Sequence, residues 1–369
     1  MQKLNETISR IERIDYSLAE KTQKRLDALT KPQASLGRLE ELAKQIVEIT
    51  KNENPSLKNK VIFTLAGDHG VVEEGVSAYP KEVTPQMVYN FLRGGAGINV
   101  LAMHVGARVI VVDMGVAEKI NPPSPKGFGG LSAETLVKAD KNFKDKKINF
   151  GTKNFTKGPA MSKDEAIKSI EAGIDVFEEE SKLGIDIVGT GDMGIGNTTP
   201  SSAIASVITG RPVEDVTGRG TGIDDKSLSK KIAVIKQAIS VNKPDGKDAI
   251  DVLSKVGGFE IGGIAGVIIA CASRRVPVVI DGFISGAGAL IAYQLEPKVK
   301  DYLIAAHCSV EKGHRLVLEY MGLKPLLDLD MRLGEGTGAA LGMSIIEASI
   351  KILTEMATFQ SADVSERTK

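Results

Sequence analysis

Two glycine-rich segments of the chain each carry one carboxylate. Asp192 lies within GTGDMGIGNTT at residues 189–199, and Glu335 lies within RLGEGTGAA at residues 332–340. Backbone amides left open by glycines at the start of a helix can bind a phosphate group. A carboxylate among such glycines is placed for proton transfer beside a bound phosphate ester. The two segments therefore predict group transfer on a phosphorylated sugar.

A third glycine-rich segment, TGRGTG at residues 217–222, contains a cation and precedes Lys230 and Lys231. Together with the first segment it favours a site that clamps an isolated phosphate. Residues 189–194 also match the pattern G-x-G-x-x-G, but the downstream acid that would bind the ribose of a dinucleotide is not evident. The lysine motif of P-loop proteins is absent, which disfavours hydrolysis of nucleoside triphosphates.

Glu335 is the leading candidate for a general base. If an apolar slot shields this carboxyl, its pKa rises toward neutrality, which suits proton abstraction near pH 7. The pattern equally fits a structural acid that interacts with the dipole at the start of a helix. Residues 75–86 contain Tyr79 and Gln86, which could form one wall of such a slot or simply precede and cap a helix.

Other chemically capable side chains follow predicted strands. An exposed acid in the position of Asp281 typically accepts hydrogen bonds from ribose hydroxyls, and Ser309 could be presented similarly. Cys308 is disfavoured as a nucleophile, because neighbouring side chains of an extended run point to opposite faces. Asp68 and His69 form too small a set for a zinc or iron site, so a structural or substrate-positioning turn is favoured there.

Composition narrows the class of protein. The chain has 369 residues, 42% of them apolar, with 47 acidic and 47 basic side chains and no Trp. The zero net charge provides no overall field for nucleic acid or an acidic membrane, and few aromatic residues are available to stack on bases. The two cysteines lack metal-ligand spacing, and no signal peptide or membrane span is evident. We therefore expect a cytoplasmic α/β protein that takes small-molecule substrates.

The elements that must position these residues alternate between strand and helix after about residue 58. Near-continuous apolar runs of this kind predict a parallel sheet covered on both faces. Ligands of such sheets bind at the carboxyl ends of the strands, where most of the motifs lie. The predicted strands are Val61–Ala66, Val109–Met114, Ile185–Val188, Val276–Ile280 and Tyr302–Ala306.

The two ends of the chain are predicted to be helical. Residues 1–50 have apolar positions at helical spacing, with a break at Pro32 and Ser35 as the cap of the following helix. A long apolar helix is expected from about Gly338 to Met356, followed by a polar tail. Residues 117–162 have little periodicity, and a loop of this length is usually a lid, an interface arm or a binding loop.

Several motifs occur in the order and register of one family: KPQASLGRL from residue 31, AGDHGV from 66, GDMGIGNTT from 191, GRGTG from 218, DGF from 281 and RLGEGTGA from 332. On these motifs, nearly the whole chain resembles the bacterial nicotinate-nucleotide–dimethylbenzimidazole phosphoribosyltransferases of cobalamin nucleotide-loop assembly. The resemblance implies a reaction without metal or cofactor. Ribose 5-phosphate passes from nicotinate mononucleotide to 5,6-dimethylbenzimidazole with inversion, giving nicotinate and α-ribazole 5′-phosphate.

The resemblance also assigns roles to residues. It makes Glu335 the base. Asp192 is assigned an auxiliary role, because some relatives carry the longer Glu at this position. The resemblance implies a phosphate site formed by Gly194, Gly222 and Lys231. The ribose site would be formed by Asp281 and Ser309. The benzimidazole slot would be formed by Tyr79, Gln86, Met193 and Leu333.

For the architecture, the resemblance implies a homodimer of two-domain chains. The large α/β domain, with a Rossmann-like parallel sheet flanked by helices, spans residues 59–339. A small helical domain comprises residues 1–58 and is completed by 340–369. Two rivals remain open at this point: a nicotinamide-cofactor oxidoreductase, supported by G-x-G-x-x-G and the parallel sheet, and a non-catalytic nucleotide sensor.

Overall fold

A six-stranded sheet forms the centre of the computed structural model, which describes residues 1–122 and 141–365. The strand order is β3-β2-β1-β4-β5-β6, and every neighbouring pair is parallel. This order is that of doubly wound, Rossmann-like folds, so the predicted fold class is confirmed. The strands are β1 Lys60–Gly67, β2 Ala107–Gly115, β3 Phe143–Asp145, β4 Ile187–Met193, β5 Val278–Ile280 and β6 Leu303–Ala305.

Helices cover both faces of this sheet. Their bounds are α1 Gln2–Ser9, α2 Ala19–Asp27, α3 Arg38–Thr50, α4 Val83–Arg93, α5 Gly97–Val105, α6 Lys163–Ser181, α7 Thr198–Thr209, α8 Val213–Val216, α9 Asp225–Asn242, α10 Ala249–Val256, α11 Phe259–Ser273, α12 Phe283–Leu295, α13 Lys312–Met321 and α14 Thr337–Glu355. The connection from β3 to β4 runs through α6, and that from β4 to β5 runs through α7 to α11.

Alternate residues of the strands belong to two separate hydrophobic cores. In β1, Val61, Phe63 and Leu65 face a core shared with α6, α11 and α12. Ile62 and Ala66 face a second core shared with α3, α5 and α14. Successive strand side chains point to opposite faces, and here both faces are buried, so the strands are apolar at nearly every position.

The helices at the chain ends divide between the two faces. Helix α1 packs against α6 and α11, whereas α3 packs against α14, and Leu29 pairs with Thr358 beyond α14. Helix α14 is the one described helix whose length and composition would allow it to cross a membrane. It lies instead against α3, α5 and β4 as a core helix. The division into residues 1–58 with 340–369 and residues 59–339 stays a prediction.

The predicted strands are confirmed, with shifted ends. The main correction concerns β4, which begins at Ile187 and extends to Met193, so Gly189–Asp192 belongs to the strand rather than to the loop after it. The predicted cap at Ser35 is wrong, since α3 begins at Arg38 after Gly37. The short edge strand β3 was missed within residues 117–162, of which 123–140 lie outside the described residues.

Candidate active site

A cavity of about 470 Å³ opens where β4, β5 and β6 end. It lies next to the point where the strand order reverses between β1 and β4, which is where doubly wound sheets bind their ligands. Four chain segments contribute much of its wall: Asp192–Thr198 at and beyond the end of β4, Gly282–Ile284 after β5, His307, Ser309 and Glu311 after β6, and Arg332–Gly334 before α14.

Asp192 lines this cavity at the end of β4. Its side chain is buried; the amide of Asn197 donates a hydrogen bond of 2.9 Å to Oδ2, and Oδ1 has no hydrogen-bond partner among the described residues. Burial raises the pKa of this carboxyl well above its usual value, and the negative charges of Asp281, Glu260 and Glu335 raise it further. These surroundings therefore disfavour the charged form of Asp192 relative to the same group in water.

Glu335 is held in an unusual backbone turn beside Asp192. Its φ angle is +65°, between Gly334 at +80° and Gly336 at +100°. Thr64 of β1 donates a hydrogen bond of 2.8 Å to the carbonyl of Glu335, and the amide of Glu335 donates to the carbonyl of Asp192 at 3.2 Å. These bonds fasten the turn to the ends of β1 and β4.

The Glu335 carboxyl is 4% exposed and points toward the start of α5. The backbone amide of Ile98 donates a hydrogen bond of 3.0 Å to Oε2, while Oε1 accepts none from the described residues. Burial raises the pKa of this carboxyl above its usual value, although the Ile98 amide opposes the rise. Glu335 does not line the main cavity; its Oε2 and the Leu333 side chain both lie close to Gly97 at the start of α5.

Glycines at and just beyond the end of β4 leave room for close backbone packing, including that of the turn at Glu335. A Cβ atom on Gly191 would lie 2.2 Å from the carbonyl oxygen of Glu335, and one on Gly194 would lie 2.3 Å from the carbonyl oxygen of Gly67. Contacts of this length are impossible for a real side chain. The G-x-G-x-x-G match is therefore explained by close backbone packing, and it is no evidence for a dinucleotide.

The region of the cavity where α7 begins is the candidate phosphate cradle. Asn197 and Thr198 line the cavity here, and Asn197 at the helix N-cap makes no side-chain cap to its own helix. Helix N-termini carry partial positive charge and free amides, which bind anions. Lys231 of α9 lies directly behind Thr198, with Nζ 2.6 Å from Oγ1.

Lys231 is 1% exposed, so its ammonium reaches the cavity only through Thr198 and the loop at Gly220. Burial lowers the pKa of Lys231 to about 8, against the opposing influence of the Glu311 carboxylate. The lysine is thus mostly charged at neutral pH and partly neutral in mildly alkaline solution. The predicted partner Gly222, with φ of +104°, lies in an adjoining cavity of about 390 Å³ next to Arg332.

Asp281 does not occupy the exposed position that we expected. Its carboxylate is fully buried and accepts hydrogen bonds from the backbone amides of Gly336, Gly338 and Ala339, at 3.1, 2.7 and 3.1 Å. Both oxygens are therefore engaged at the start of α14. The side chain anchors the turn that carries Glu335. The expected exposure of Asp281 is wrong, and its assignment to the ribose stays a prediction.

The remaining predicted residues differ in how they meet the cavity. Ser309, Met193, Tyr79 and Leu333 all line it, and the last two are 53% and 60% exposed. Gln86 lies on the exposed side of α4 and does not line the cavity. The structure thus brings three of the four predicted slot residues together around one opening.

His69 lies beneath the cavity rather than in it. Its Nε2 is 2.9 Å from Oε1 of Glu260, and both side chains have no solvent exposure. The neighbouring carboxylate raises the pKa of His69 although burial alone would lower it. Within residues 1–122 and 141–365 no cluster of three His, Cys, Asp or Glu side chains could hold a metal ion. The pair supports the preferred interpretation of this motif as a structural or positioning turn.

Sequence reasoning missed several cavity residues. Thr198 and Asn197 belong to the quoted 189–199 segment and could have been found from their place at a helix start. Arg332 begins the quoted 332–340 segment, but neither Arg332 nor Glu311 was assigned a role, because their partner in the fold is Gly220, which is 112 and 91 positions away in the chain.

The doubly wound sheet, the open start of α7 and the buried carboxyls of Asp192 and Glu335 together describe an α/β protein with a candidate site for a phosphorylated ligand and for proton transfer. A family model described as phosphoribosyltransferase matches residues 11–364. The chain belongs to this phosphoribosyltransferase family, and it is therefore a glycosyltransferase-type enzyme.

Named relatives are similar along their whole length. The nicotinate-nucleotide–dimethylbenzimidazole phosphoribosyltransferase of Geobacter sulfurreducens is 56% identical over 366 residues, covering 99% of each chain. The protein of the same name from Roseiflexus sp. is 58% identical over 365 residues, also covering 99% of each. The crystal structure of CobT from Thermus thermophilus matches with a TM-score of 0.86 and 41% identity, covering 94% of this chain and 99% of that one.

Proposed function

We propose that this enzyme transfers ribose 5-phosphate from nicotinate mononucleotide to 5,6-dimethylbenzimidazole, releasing nicotinate and forming α-ribazole 5′-phosphate for the lower-ligand nucleotide loop of cobalamin. The observation that carries the proposal is the full-length similarity, at 56–58% identity, to relatives named for this reaction. The site also supports it, because the start of α7 and the buried Asp192 carboxyl line one cavity, and the turn that carries Glu335 is hydrogen-bonded to Asp192.

The donor nucleotide is proposed to bind by its phosphate at the start of α7. The amides near Gly194, the Thr198 hydroxyl and the charge of Lys231 supply the attraction. Ser309, on the wall after β6, is within the same cavity and is assigned to the ribose. With the phosphate fixed there, the anomeric carbon of the ribose is proposed to face the part of the cavity that holds the acceptor.

The acceptor is proposed to occupy the space bounded by Tyr79, Met193 and Leu333, with Gln86 nearer its outer edge. One ring nitrogen then faces Glu335 and the other faces the anomeric carbon. Asp192, whose pKa is raised by burial, lines the same cavity and is assigned an auxiliary role.

The transfer is a displacement at the anomeric carbon. The lone pair of one benzimidazole nitrogen forms the new C–N bond, while the N–H proton of the other nitrogen passes to the Glu335 carboxylate. The bond to nicotinate breaks with its electron pair moving to the pyridine nitrogen, which thereby loses its positive charge. Because the leaving group is already cationic, one base suffices. Attack opposite the departing ring inverts the anomeric centre.

The experiment is direct. Incubation with nicotinate mononucleotide and 5,6-dimethylbenzimidazole, followed by chromatography, is expected to show nicotinate and α-ribazole 5′-phosphate in equal amounts. Release of nicotinate without the second product would indicate hydrolysis, and no release at any pH would contradict the proposal. The rival oxidoreductase finds no support in the family comparisons, and it would instead change cofactor absorbance with an alcohol substrate.

We also propose that the enzyme works in the cytoplasm as a homodimer. Cys271 and Cys308 are both buried free thiols, as suits a reducing compartment. Helix α5 presents two apolar side chains, Val100 and Met103, that are 57% and 77% exposed and could pack on a second copy. Light scattering at micromolar concentration is expected to give twice the mass of one chain.

A further inference from the structure

Glu311 is a buried carboxylate in the wall of the cavity that the proposed mechanism does not use. It directly precedes α13 and is 6% exposed. The backbone amide of Gly220 donates a hydrogen bond of 2.8 Å to Oε1. Oε2 is buried and has no hydrogen-bond partner in the described chain, and a Cβ atom on Gly218 would lie only 2.2 Å from it. The carboxylate is thus enclosed beneath the loop of residues 218–222, which we name the glycine loop.

The glycine loop joins Glu311 to the phosphate cradle. A Cβ atom on Gly220 would lie 2.9 Å from Oγ1 of Thr198 and 3.4 Å from Nζ of Lys231. Gly220 therefore donates its amide hydrogen bond to Glu311, and its α-carbon lies close to Thr198 and Lys231. Its φ of +54° is in the left-handed region, which glycine adopts at little cost.

Lys231 has few other groups to stabilise its charge. Its ammonium contacts the Thr198 hydroxyl on α7, and Glu311 is the acid whose charge favours the ammonium form. Three further cations lie near Glu311. Arg332 donates to the Gly220 carbonyl at 3.1 Å, Lys312 follows Glu311 in the chain, and Arg219 of the glycine loop pairs with Asp225. Glu311 is therefore the counter-charge of a small cationic group around the glycine loop.

We propose that Glu311 is a positioning residue of the phosphate site, which fixes the glycine loop and keeps Lys231 charged for the phosphate of the nucleotide donor. The inference rests on the proposed function. Glu311 acts through Gly220 and Lys231 and does not itself contact the reacting atoms. Without its charge, burial of Lys231 favours the neutral amine, which binds a phosphate dianion poorly.

The first variant, Glu311→Gln, removes the negative charge and keeps nearly the same side-chain shape. The glutamine oxygen can still accept the Gly220 amide, so the glycine loop keeps its position. The pKa of Lys231, about 8 in the native protein, then falls because its favourable neighbour is neutral. We expect the alkaline decline of kcat/KM for nicotinate mononucleotide to begin about one pH unit lower, which is about a tenfold loss above pH 8. The loss should appear in KM, while kcat stays near the native value.

A second variant tests the loop itself. Glu311→Asp keeps the charge but is one methylene shorter, so it reaches Gly220 less well. We expect KM to rise at every pH while the alkaline decline stays near its native position. A matched control is Glu180→Gln, which removes another buried carboxylate that pairs with Arg108 and Lys144, away from the cavity. The control should leave the pH profile of kcat/KM unchanged.

The wild-type protein is assayed first, so that failure of the proposed reaction is seen independently of Glu311. Calorimetric titration with ribose 5-phosphate between pH 6 and 9 gives a second measurement that needs no turnover, and circular dichroism verifies folding. The inference is overturned if Glu311→Gln folds normally and lowers kcat/KM equally at all pH values, or if it lowers kcat alone. It is also overturned if ribose 5-phosphate binds Glu311→Gln with native affinity above pH 8.

Discussion

Replacing Glu335 with glutamine tests the proposed base most directly. The new side chain would retain an oxygen that accepts the Ile98 amide, which now lies 3.0 Å from Oε2, and it has nearly the same volume. The free energy of unfolding should therefore change by no more than about 1 kcal/mol. A positioned general base contributes about 10²- to 10⁴-fold to a rate, so kcat should fall by that factor, or about 3–5 kcal/mol in activation free energy.

The pH dependence of kcat provides an independent test of Glu335 as the base. Burial raises the pKa of the Glu335 carboxyl above its ordinary value of 4.5, and only the deprotonated form can accept the proton. Native kcat should therefore fall as the pH drops through this raised pKa, and the decline should be absent from the residual activity of Glu335→Gln. Initial rates of nicotinate release at saturating substrates, from pH 5 to 8, measure both effects.

The control for this experiment is another glutamate to glutamine change on the adjoining helix. Glu347 of α14 is partly exposed and pairs with the buried Lys60 and the exposed Lys351, away from the cavity, and Glu347→Gln should keep the native kcat. The assignment of Glu335 as the base would be refuted if Glu335→Gln kept kcat within about threefold of the native enzyme with the acid decline intact.

Three further changes test the other assignments. Lys231→Met should raise KM for nicotinate mononucleotide by about 10- to 100-fold with little change in kcat, because a charge-assisted bond to phosphate is lost; an unchanged KM in initial-rate assays would remove the lysine from the phosphate site. Asp281→Asn should lower the free energy of unfolding in urea by about 2–4 kcal/mol, because a carboxylate that accepts three backbone amides becomes neutral; native stability with a raised KM would restore its ribose role. Cys308→Ser should keep kcat within about twofold, since the buried thiol has no part in the proposed transfer; a loss of two orders of magnitude or more would restore the thiol nucleophile.

Apolar strand patterns made the sheet predictable. The near-continuous run in β1 is buried at every position, so its sequence carries the signature of a strand covered on both faces. Because parallel strands end at one edge, the motifs after β4, β5 and β6 could be placed around one cavity from the sequence alone. The slot residues Met193 and Leu333 were assigned by family resemblance and not by this rule, and both line the cavity.

Contacts between segments that are far apart in the chain could not be predicted from the sequence. Asp281 follows its strand as expected, but the sequence does not show that three amides of α14 and the turn before it converge on this carboxylate. The same limit hides Glu311, whose partner is Gly220. The end of β4 was misplaced for a related reason: glycines suggested a loop, whereas Gly191 is needed because the Glu335 carbonyl packs directly on the strand.

The left-handed backbone at Glu335 has a consequence for protein engineering. A residue with a side chain is strained in this region by about 1–2 kcal/mol relative to glycine. Glycine at position 335 would relieve that strain, and the lost bond to Ile98 is of similar size. An inactive Glu335→Gly enzyme is therefore expected to melt close to the native temperature. Selection of variants by thermal tolerance alone would accept it, so libraries built on this scaffold need a turnover screen at that turn.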